Sequence, residues 1–252
     1  GLFEYLKNFI FRYDAVVISN EKFKQPNLPA NYKVIFPAID PVSIKNSDLP
    51  NGAKDKYLKK FSIPTDKPII SQISRFDKWK DPEGVLEIFK MVKENIDCRL
   101  ILCGSMATDD PEGIEIFQKI RKKAKKEIEA GDVFLITMES NLFVNVIQRI
   151  SSVIIQKSIK EGFGLTVAEA LWKGTPVVAS NVGGIKLQIE NGKWGYLLEP
   201  MDYKGFAEKI LYILKNPEVA KEFGEKGKEF IRNNYLITRL LSDYIDLLIS
   251  FK

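Results

Sequence analysis

The chain has 252 residues, 45% of them hydrophobic and 28% charged, the balance of a soluble globular protein long enough for one large core or two small ones. It has no histidine and two cysteines, which excludes a histidine general base, a Ser-His-Asp triad and a histidine metal site within the chain and leaves too few ligands for structural zinc. The net charge of +5 is mild and rests mostly on lysine; the densest basic run, residues 121–126, reads as the solvated face of a long helix, since acids follow it and no aromatics interleave, so no nucleic acid is expected as a partner.

In chain order, residues 1–12 read as a helix, 15–19 as a strand and 33–37 as another short strand leading into PAID. These opening elements do not form a unit by themselves and look like the end of a domain. From residue 54 a regular alternation begins: a helix over 54–61, a strand over 69–73, a helix from Pro82, a strand over 99–103, a helix from Pro111 and a strand over 133–136. A helix over 142–150, a strand from Val153, a central helix, a strand over 177–179, a brief strand near Tyr196 and helices from Tyr203, Pro217 and about 237 complete it. This order specifies an α/β fold, a doubly wound parallel sheet with helices on both faces. Asp81, Asp110 and Asn216 each stand before a proline, the pattern of a capping side chain followed by proline in the first helical position. Cys98 and Cys103 fall on opposite sides of one strand and its lead-in, too far apart to bridge. No apolar run approaches the roughly 18 residues of a membrane span, and the N-terminus lacks a basic region ahead of a signal core. A cytoplasmic protein without a membrane partner is expected.

The most informative stretch is KEGFGLTVAEAL, residues 160–171. It follows the strand at Val153 and opens a helix, so Gly162 and Gly164 stand where a strand hands over to a helix N-terminus, an arrangement that binds phosphate. Glu161 and Glu169 lie eight apart and flank that anion site; since carboxylates repel phosphate, they are suited to accept hydrogen bonds from hydroxyls on a sugar or ribose. A purely structural reading also stands: Leu165, Ala168, Leu171 and Trp172 as the buried stripe, Thr166, Glu169 and Lys173 on the other face, a Glu169–Lys173 pair worth roughly 0.2–0.5 kcal/mol, and Glu161 favouring the helix dipole.

Directly after the first strand of the alternation comes SRFDKWKDP, residues 74–82. Arg75 and Lys80 stand at the carboxyl edge of the sheet, where ligands of such sheets bind, and a guanidinium fork with a point charge can hold neighbouring phosphate oxygens. Two cations and a helix N-terminus suit a diphosphate. Trp79 and Trp172 adjoin helices and are read as packing residues rather than as stacking platforms.

The combination of ISRFDKWKDP, LILCGS with its closing Gly104, EGFGLTVAE and AxxxGTPVVASNVGG resembles the carboxy-terminal domain of retaining, nucleotide-sugar-dependent glycosyltransferases of the glycogen synthase and sucrose synthase type. Within that group it is most similar to the trehalose glycosyltransferring synthases of thermophiles and, more distantly, to trehalose phosphorylases. The resemblance covers about residues 30–250 and implies a Rossmann-like domain of the two-domain B-type fold with most of the amino-terminal domain missing. It divides the chain into an acceptor-domain remnant and linker (1–36), a donor-binding domain (37–234) and a helix packing back toward the amino-terminal side (235–252).

What the resemblance implies for the residues is specific. Arg75, Lys80 and Glu161 take catalytic positions, the two cations on the nucleotide diphosphate and Glu161 near the transferred sugar. Glu169 binds the ribose, and Gly162, Phe163, Gly164, Leu165 and Thr166 form the turn and helix start whose backbone meets sugar hydroxyls and phosphate. The implied reaction transfers glucose from a nucleoside diphosphate glucose to glucose, giving trehalose; a phosphorylase and a non-catalytic nucleotide-sugar-binding module are the alternatives. No cofactor and no metal is implied, and magnesium is not indicated. The loop over 137–145, TMESNLFVN, stands where trehalose-forming relatives carry a histidine-containing loop near the base, so the base is left open. Covered in the relatives by the other domain, the apolar faces of the first helix (Leu2, Phe3, Leu6, Phe9, Ile10) and the last (Leu240, Leu241, Tyr244, Leu247, Leu248) are expected to be exposed here, or paired in a homo-oligomer or with that domain.

Overall fold

The computed structural model describes residues 2–105 and 111–251. The chain opens with α1 (Leu2–Ile10), β1 (Val16–Ile18) and β2 (Tyr32–Val34), the two strands pairing in parallel as a sheet of their own. After α2 (Ala53–Lys60) come β3 (Ile69–Ile73), α3 (Pro82–Lys93), β4 (Arg99–Gly104), α4 (Pro111–Lys123), α5 (Lys125–Glu129) and β5 (Val133–Thr137). The series continues through α6 (Asn141–Ile150), β6 (Val153–Gln156), α7 (Leu165–Trp172), β7 (Val177–Ser180) and β8 (Gly195–Leu198) to α8 (Tyr203–Lys215), α9 (Pro217–Asn234) and α10 (Ile237–Ile249).

The main sheet has six strands in the order β5-β4-β3-β6-β7-β8, every pair parallel. Alternate strand residues feed two cores, as a pleated sheet buried on both faces requires. Ile69, Ile73, Ile101, Cys103, Ile154 and Val177 pack with α6 and α7 on one face; Ile70, Leu100, Leu102, Val153 and Val178 pack with α3 and α8 on the other. The chain runs outward from β3 through β4 to β5, then returns to β6 on the other flank of β3. This reversal makes the carboxyl ends of β3 and β6 the topological switch point, where open sheets of this kind form their ligand crevice.

Local chemistry explains the boundaries. Asp81 accepts from the Gly84 N–H at 3.0 Å and caps α3 ahead of Pro82. Asn216 does not cap α9; its amide instead donates to the Tyr212 carbonyl at 2.7 Å, completing the preceding helix. Asp110 lies outside the described residues. The helix expected from Pro111 is interrupted at Ala124, which is buried and precedes α5; the basic run around it is otherwise solvated, as read. The second strand ends at Val34 rather than Pro37. Cys98 and Cys103 are free and buried in different cores, and burial pushes their thiols up to about 11 and about 12, leaving both as small apolar side chains at neutral pH.

Chain crossings join the two ends of the molecule. Ile39 donates to the Tyr235 carbonyl at 2.8 Å and Ile237 donates back to Ile39 at 3.0 Å, while Arg239 reaches the Phe36 carbonyl at 2.8 Å. Leu6, Phe9, Leu241, Tyr244 and Leu248 are exposed, with Ile245 and Ile249 extending the α10 face; Ile10, Leu240 and Leu247 are partly covered, and the side chains of Leu2 and Phe3 lie outside the described set. Among the described residues no helix is long and apolar enough to cross a membrane.

Two outcomes are expected. A Cβ on Gly104 would lie 1.8 Å from the Ser74 carbonyl oxygen, so Gly104→Ala should lower unfolding stability by about 1–3 kcal/mol or more through overpacking against backbone; an unchanged denaturation midpoint would show that the β3 loop does not depend on this close approach. The exposed α10 face should make the chain associate with rising concentration in sedimentation velocity, and a monomer at every concentration would contradict this.

Candidate functional site

Two loops leave the sheet at the switch point, residues 74–81 after β3 and residues 157–164 after β6. They are fastened to each other from below. Gln72, buried in β3, donates to the Lys80 carbonyl at 2.8 Å and accepts from the Lys157 N–H at 2.9 Å, and Ile159 donates to the Trp79 carbonyl at 2.7 Å. Asp77, also buried, accepts from the N–H groups of Trp79 and Lys80 at 2.9 and 3.1 Å and lies 3.4 Å from the Arg75 guanidinium. One carboxylate thus shapes the turn and orients a cation.

The turn sets Lys80 against Glu161. Their side chains form an ion pair, 17% and 12% exposed, and the same Glu161 Oε2 accepts from Gln156 and Ser158 at 3.3 Å each. Its other oxygen accepts from the Gly162 N–H at 3.1 Å. Arg75 is 65% exposed and turns instead to the cleft described below.

Beyond Glu161 the chain turns into α7 through Gly164, which has φ of +81° and needs glycine for it. Close approaches hold the turn: a Cβ on Gly183 would lie 1.9 Å from the Glu161 carbonyl oxygen, and Gly184 donates to the Gly162 carbonyl at 2.9 Å. Gln188 donates to the Phe163 carbonyl at 2.7 Å. Phe163 is buried against Phe36 and Tyr235 and Leu165 is partly buried against the same core, so both can offer a ligand only their backbone. Gly162 has no positive φ and open space where a Cβ would stand; contrary to the expectation from sequence, its backbone conformation does not demand glycine. The open space leaves its backbone approachable.

A cleft of about 400 Å³ lies at the carboxyl ends of β3, β4 and β5, lined by Lys45, Arg75, Gly104, Met138, Ser140 and Thr166 among others. The 137–145 segment therefore forms one wall, with Ser140 capping α6 at 3.2 Å from the Phe143 N–H. Glu169 belongs to the same neighbourhood. It is buried rather than on a solvated face, and its carboxylate pairs not with Lys173 but with Lys45 at 2.6 Å, while Gln148 approaches its other oxygen at 3.4 Å. Lys173 turns to the Glu169 backbone carbonyl at 3.2 Å and to Asn46 Oδ1 at 2.9 Å. The i,i+4 pair does not form because the helix face read as solvated is covered by residues 44–47.

Below the two loops lies a buried charge pair. The Lys157 side chain has no exposed surface, meets Asp81, and lies 4.4 Å from the Tyr203 ring centre; Tyr203 also donates to Asp81 at 3.2 Å. Burial lowers the Lys157 pKa and Asp81 opposes that shift. Trp172 packs, its indole donating to the Asn46 carbonyl at 3.1 Å. Trp79, read as a packing residue, is instead 39% exposed with the Lys160 ammonium 4.4 Å from its ring centre, because its backbone, not its side chain, makes the inter-loop bond. Among the described residues there is no group of three acidic or cysteine side chains placed to hold a metal ion.

The structure thus brings Lys80 to Glu161, and places Arg75 and Thr166 on a cleft that Lys45, the partner of the buried Glu169, also lines. Reasoning from sequence did not find Lys45, Gln72, Asp77 or Gln156. Asp77 carried a usable signal, an acid two residues before a basic loop tip in turn chemistry; the others act across 80 or more residues or, in Gln156, from inside an apolar strand.

Lys173 supplies a pH test. Burial, reinforced by Arg149 and Lys45 and opposed by Glu169, lowers its pKa from 10.5 to about 7. Above that value the folded state holds a neutral amine while the unfolded chain still binds the proton, so stability should rise as pH climbs from about 7 toward 10. Lys173→Met should remove that rise, read as the change in urea midpoint between the two pH values; an identical slope in both proteins would show that Lys173 does not titrate there.

The sequence pattern of the family "Glycosyl transferases group 1" matches residues 53–230. A trehalose synthase of Pyrococcus horikoshii is 44% identical over 98% of this chain and 60% of its own length, so the chain spans about three fifths of that relative. Among solved structures, a glycosyltransferase from Rickettsia africae superposes with a TM-score of 0.84 at 22% identity, over 98% of this chain and 66% of that one. Anabaena HepE in complex with UDP-glucose superposes with a TM-score of 0.79 at 16% identity, over 98% and 67%. The parallel sheet, the switch-point loops and this relatedness agree: the chain belongs to the group 1 glycosyltransferases, is related to the trehalose synthases, and has the Rossmann-like carboxy-terminal fold of B-type glycosyltransferases.

Proposed function

We propose that the chain provides the donor half of a retaining glycosyltransferase that moves glucose from a nucleoside diphosphate glucose to glucose, forming trehalose. The observation that carries this reading is the Lys80–Glu161 pair at the switch point, beside the open approach to Gly162 and the start of α7. A cation and a hydroxyl-accepting carboxylate meet there beside the N-terminus of a helix, the set that a sugar diphosphate needs. Similarity to trehalose synthases over nearly the whole chain supports the glucosyl donor and acceptor, and a structural neighbour that holds UDP-glucose supports the nucleotide sugar.

On this reading, the bond from the anomeric carbon to the diphosphate oxygen breaks with its electron pair passing to the diphosphate. Arg75, Lys80 and the N-terminus of α7 stabilise the charge that develops there, which is the main catalytic contribution available to this chain. Glu161 accepts hydrogen bonds from the transferred sugar and Glu169 from the ribose. The acceptor hydroxyl attacks the same face, and its proton goes to the departing diphosphate, so no histidine of this chain is required.

Calorimetric titration with nucleoside diphosphates and their glucose conjugates tests the donor site. Saturable binding should weaken by about tenfold or more in Arg75→Ala and in Glu169→Ala, since each variant removes a charged hydrogen-bonding group. Absence of saturable binding by the unaltered chain at millimolar ligand would sink the proposal.

A further inference from the structure

Lys45 has no place in the motifs that define the donor site, yet its surroundings are those of a built ligand group. It stands on an irregular stretch between β2 and α2, at the tip of a turn that the rest of the molecule fixes from several directions. Within the turn, Asn46 donates to the Asp40 carbonyl at 3.0 Å. From α6, the fully buried Asn145 donates to the carbonyls of Ile44 and Ser47 at 3.0 and 2.8 Å, and Arg149 donates to Ser47 at 3.0 Å. From α7, Trp172 and Lys173 hold Asn46. The backbone on both sides of Lys45 is therefore fixed, while the Lys45 side chain itself is 32% exposed, lines the cleft and places its ammonium 2.6 Å from Glu169 Oε1.

The pair joins a partly exposed ammonium to a buried carboxylate. The chemistry of the pair suggests its use. Each hydroxyl of a vicinal diol is both a donor and an acceptor, and a carboxylate can satisfy only the donors. An ammonium with three N–H donors, one spent on the carboxylate, supplies the complementary half. Among the described residues, the only donor to the second oxygen of Glu169 is the long Gln148 contact, and the Gln148 Oε1 has no partner.

We propose that Lys45 and Glu169 together read a vicinal diol of the bound nucleotide sugar, Glu169 accepting from the hydroxyls and Lys45 donating to their oxygens, so that Lys45 is a specificity residue of the donor site. This rests on the nucleotide-sugar reading above. The diol belongs to the ribose or to the transferred hexose, and the test separates the two.

Adenosine, guanosine and uridine diphosphates would be titrated into the unaltered chain, followed by the 2′-deoxy counterpart and the glucose conjugate of the tightest binder, with Lys45→Met and Lys45→Arg in parallel. Loss of a charge-assisted hydrogen bond predicts that Lys45→Met weakens the ribonucleotide about tenfold and the 2′-deoxy compound less than about threefold, with Lys45→Arg in between. A loss confined to the glucose conjugate would also support the diol, on the hexose. Equal weakening of the ribo and deoxy compounds would assign Lys45 to the phosphates and overturn the proposal, as would no change at all. If the unaltered chain binds none of the diphosphates, the donor-site reading fails, and this inference with it. Lys45→Met also leaves the buried Glu169 carboxylate without its ammonium, so its thermal midpoint should fall, while that of Lys45→Arg, which keeps the charge, stays near the unaltered chain. The ribo-against-deoxy comparison is made within each variant and is independent of that difference.

Discussion

The site depends on one buried charge. The Lys157 ammonium is enclosed completely at the end of β6 and has Asp81 as its counter-ion. Removing one partner of such a pair leaves an uncompensated buried charge at a cost of about 3–5 kcal/mol, so the pair dictates where Asp81 must be. Asp81 meets that demand in a left-handed conformation with φ of 37°, unusual for a residue other than glycine. In that position its carboxylate also caps α3 and accepts from Tyr203. The residue before it is Lys80. The strained backbone, the cap and the buried pair therefore fix the root of the side chain that meets Glu161.

Gly84 shows how tightly this arrangement is made. A Cβ there would lie 2.4 Å from Asp81 Oδ2 and 2.8 Å from the Lys157 ammonium. Gly183 and Gly184 do the same for the Glu161 turn, where backbone packs on backbone. The two loops are held by different means: buried charge under the first, absent side chains beside the second. Gln72 ties them at their common base. The result is preorganisation, which lowers the ordering cost of binding a flexible, highly charged ligand.

The strands, the α3 cap and the chain positions of Arg75, Lys80 and Glu161 were legible in the sequence, because each rests on a local signal: an apolar run, an acid before a proline, a glycine pair after a strand. What was not legible depended on contacts distant in sequence. Glu169 sits with Thr166 and Lys173 at polar positions of α7, and a helical wheel assigns that face to solvent. It is buried because residues 44–47, an irregular stretch without periodicity, are tied down on it by Asn145, Arg149, Trp172 and Lys173. Lys45 was invisible for the same reason, as nothing in its own stretch shows which carboxylate it will meet. Gly162 went the other way, since a glycine in a phosphate-binding pattern suggests a special backbone conformation, and here the turn at Gly164 supplies it alone.

Each cation placed for a ligand is already matched with a carboxylate: Arg75 with Asp77, Lys80 with Glu161, Lys45 with Glu169. Binding a nucleotide sugar is then an exchange of partners rather than the filling of an unbalanced charge, and the three pairs differ in how readily they exchange. Arg75, mostly exposed and 3.4 Å from its acid, is free to turn to a phosphate. Lys80 is nearly enclosed, and Glu161 also accepts from Gln156, Ser158 and the Gly162 N–H. Glu161 therefore keeps three donors if Lys80 moves toward a phosphate, and its charge is not left bare. Among the described residues Glu169 has no comparable set of alternative donors, only Gln148 at 3.4 Å. If Lys45 left it, a buried carboxylate would lack compensation, so Lys45 must stay while the ligand arrives. An ammonium that cannot leave its carboxylate can only share it, which is the physical reason to expect Lys45 and Glu169 to act on a ligand as one unit.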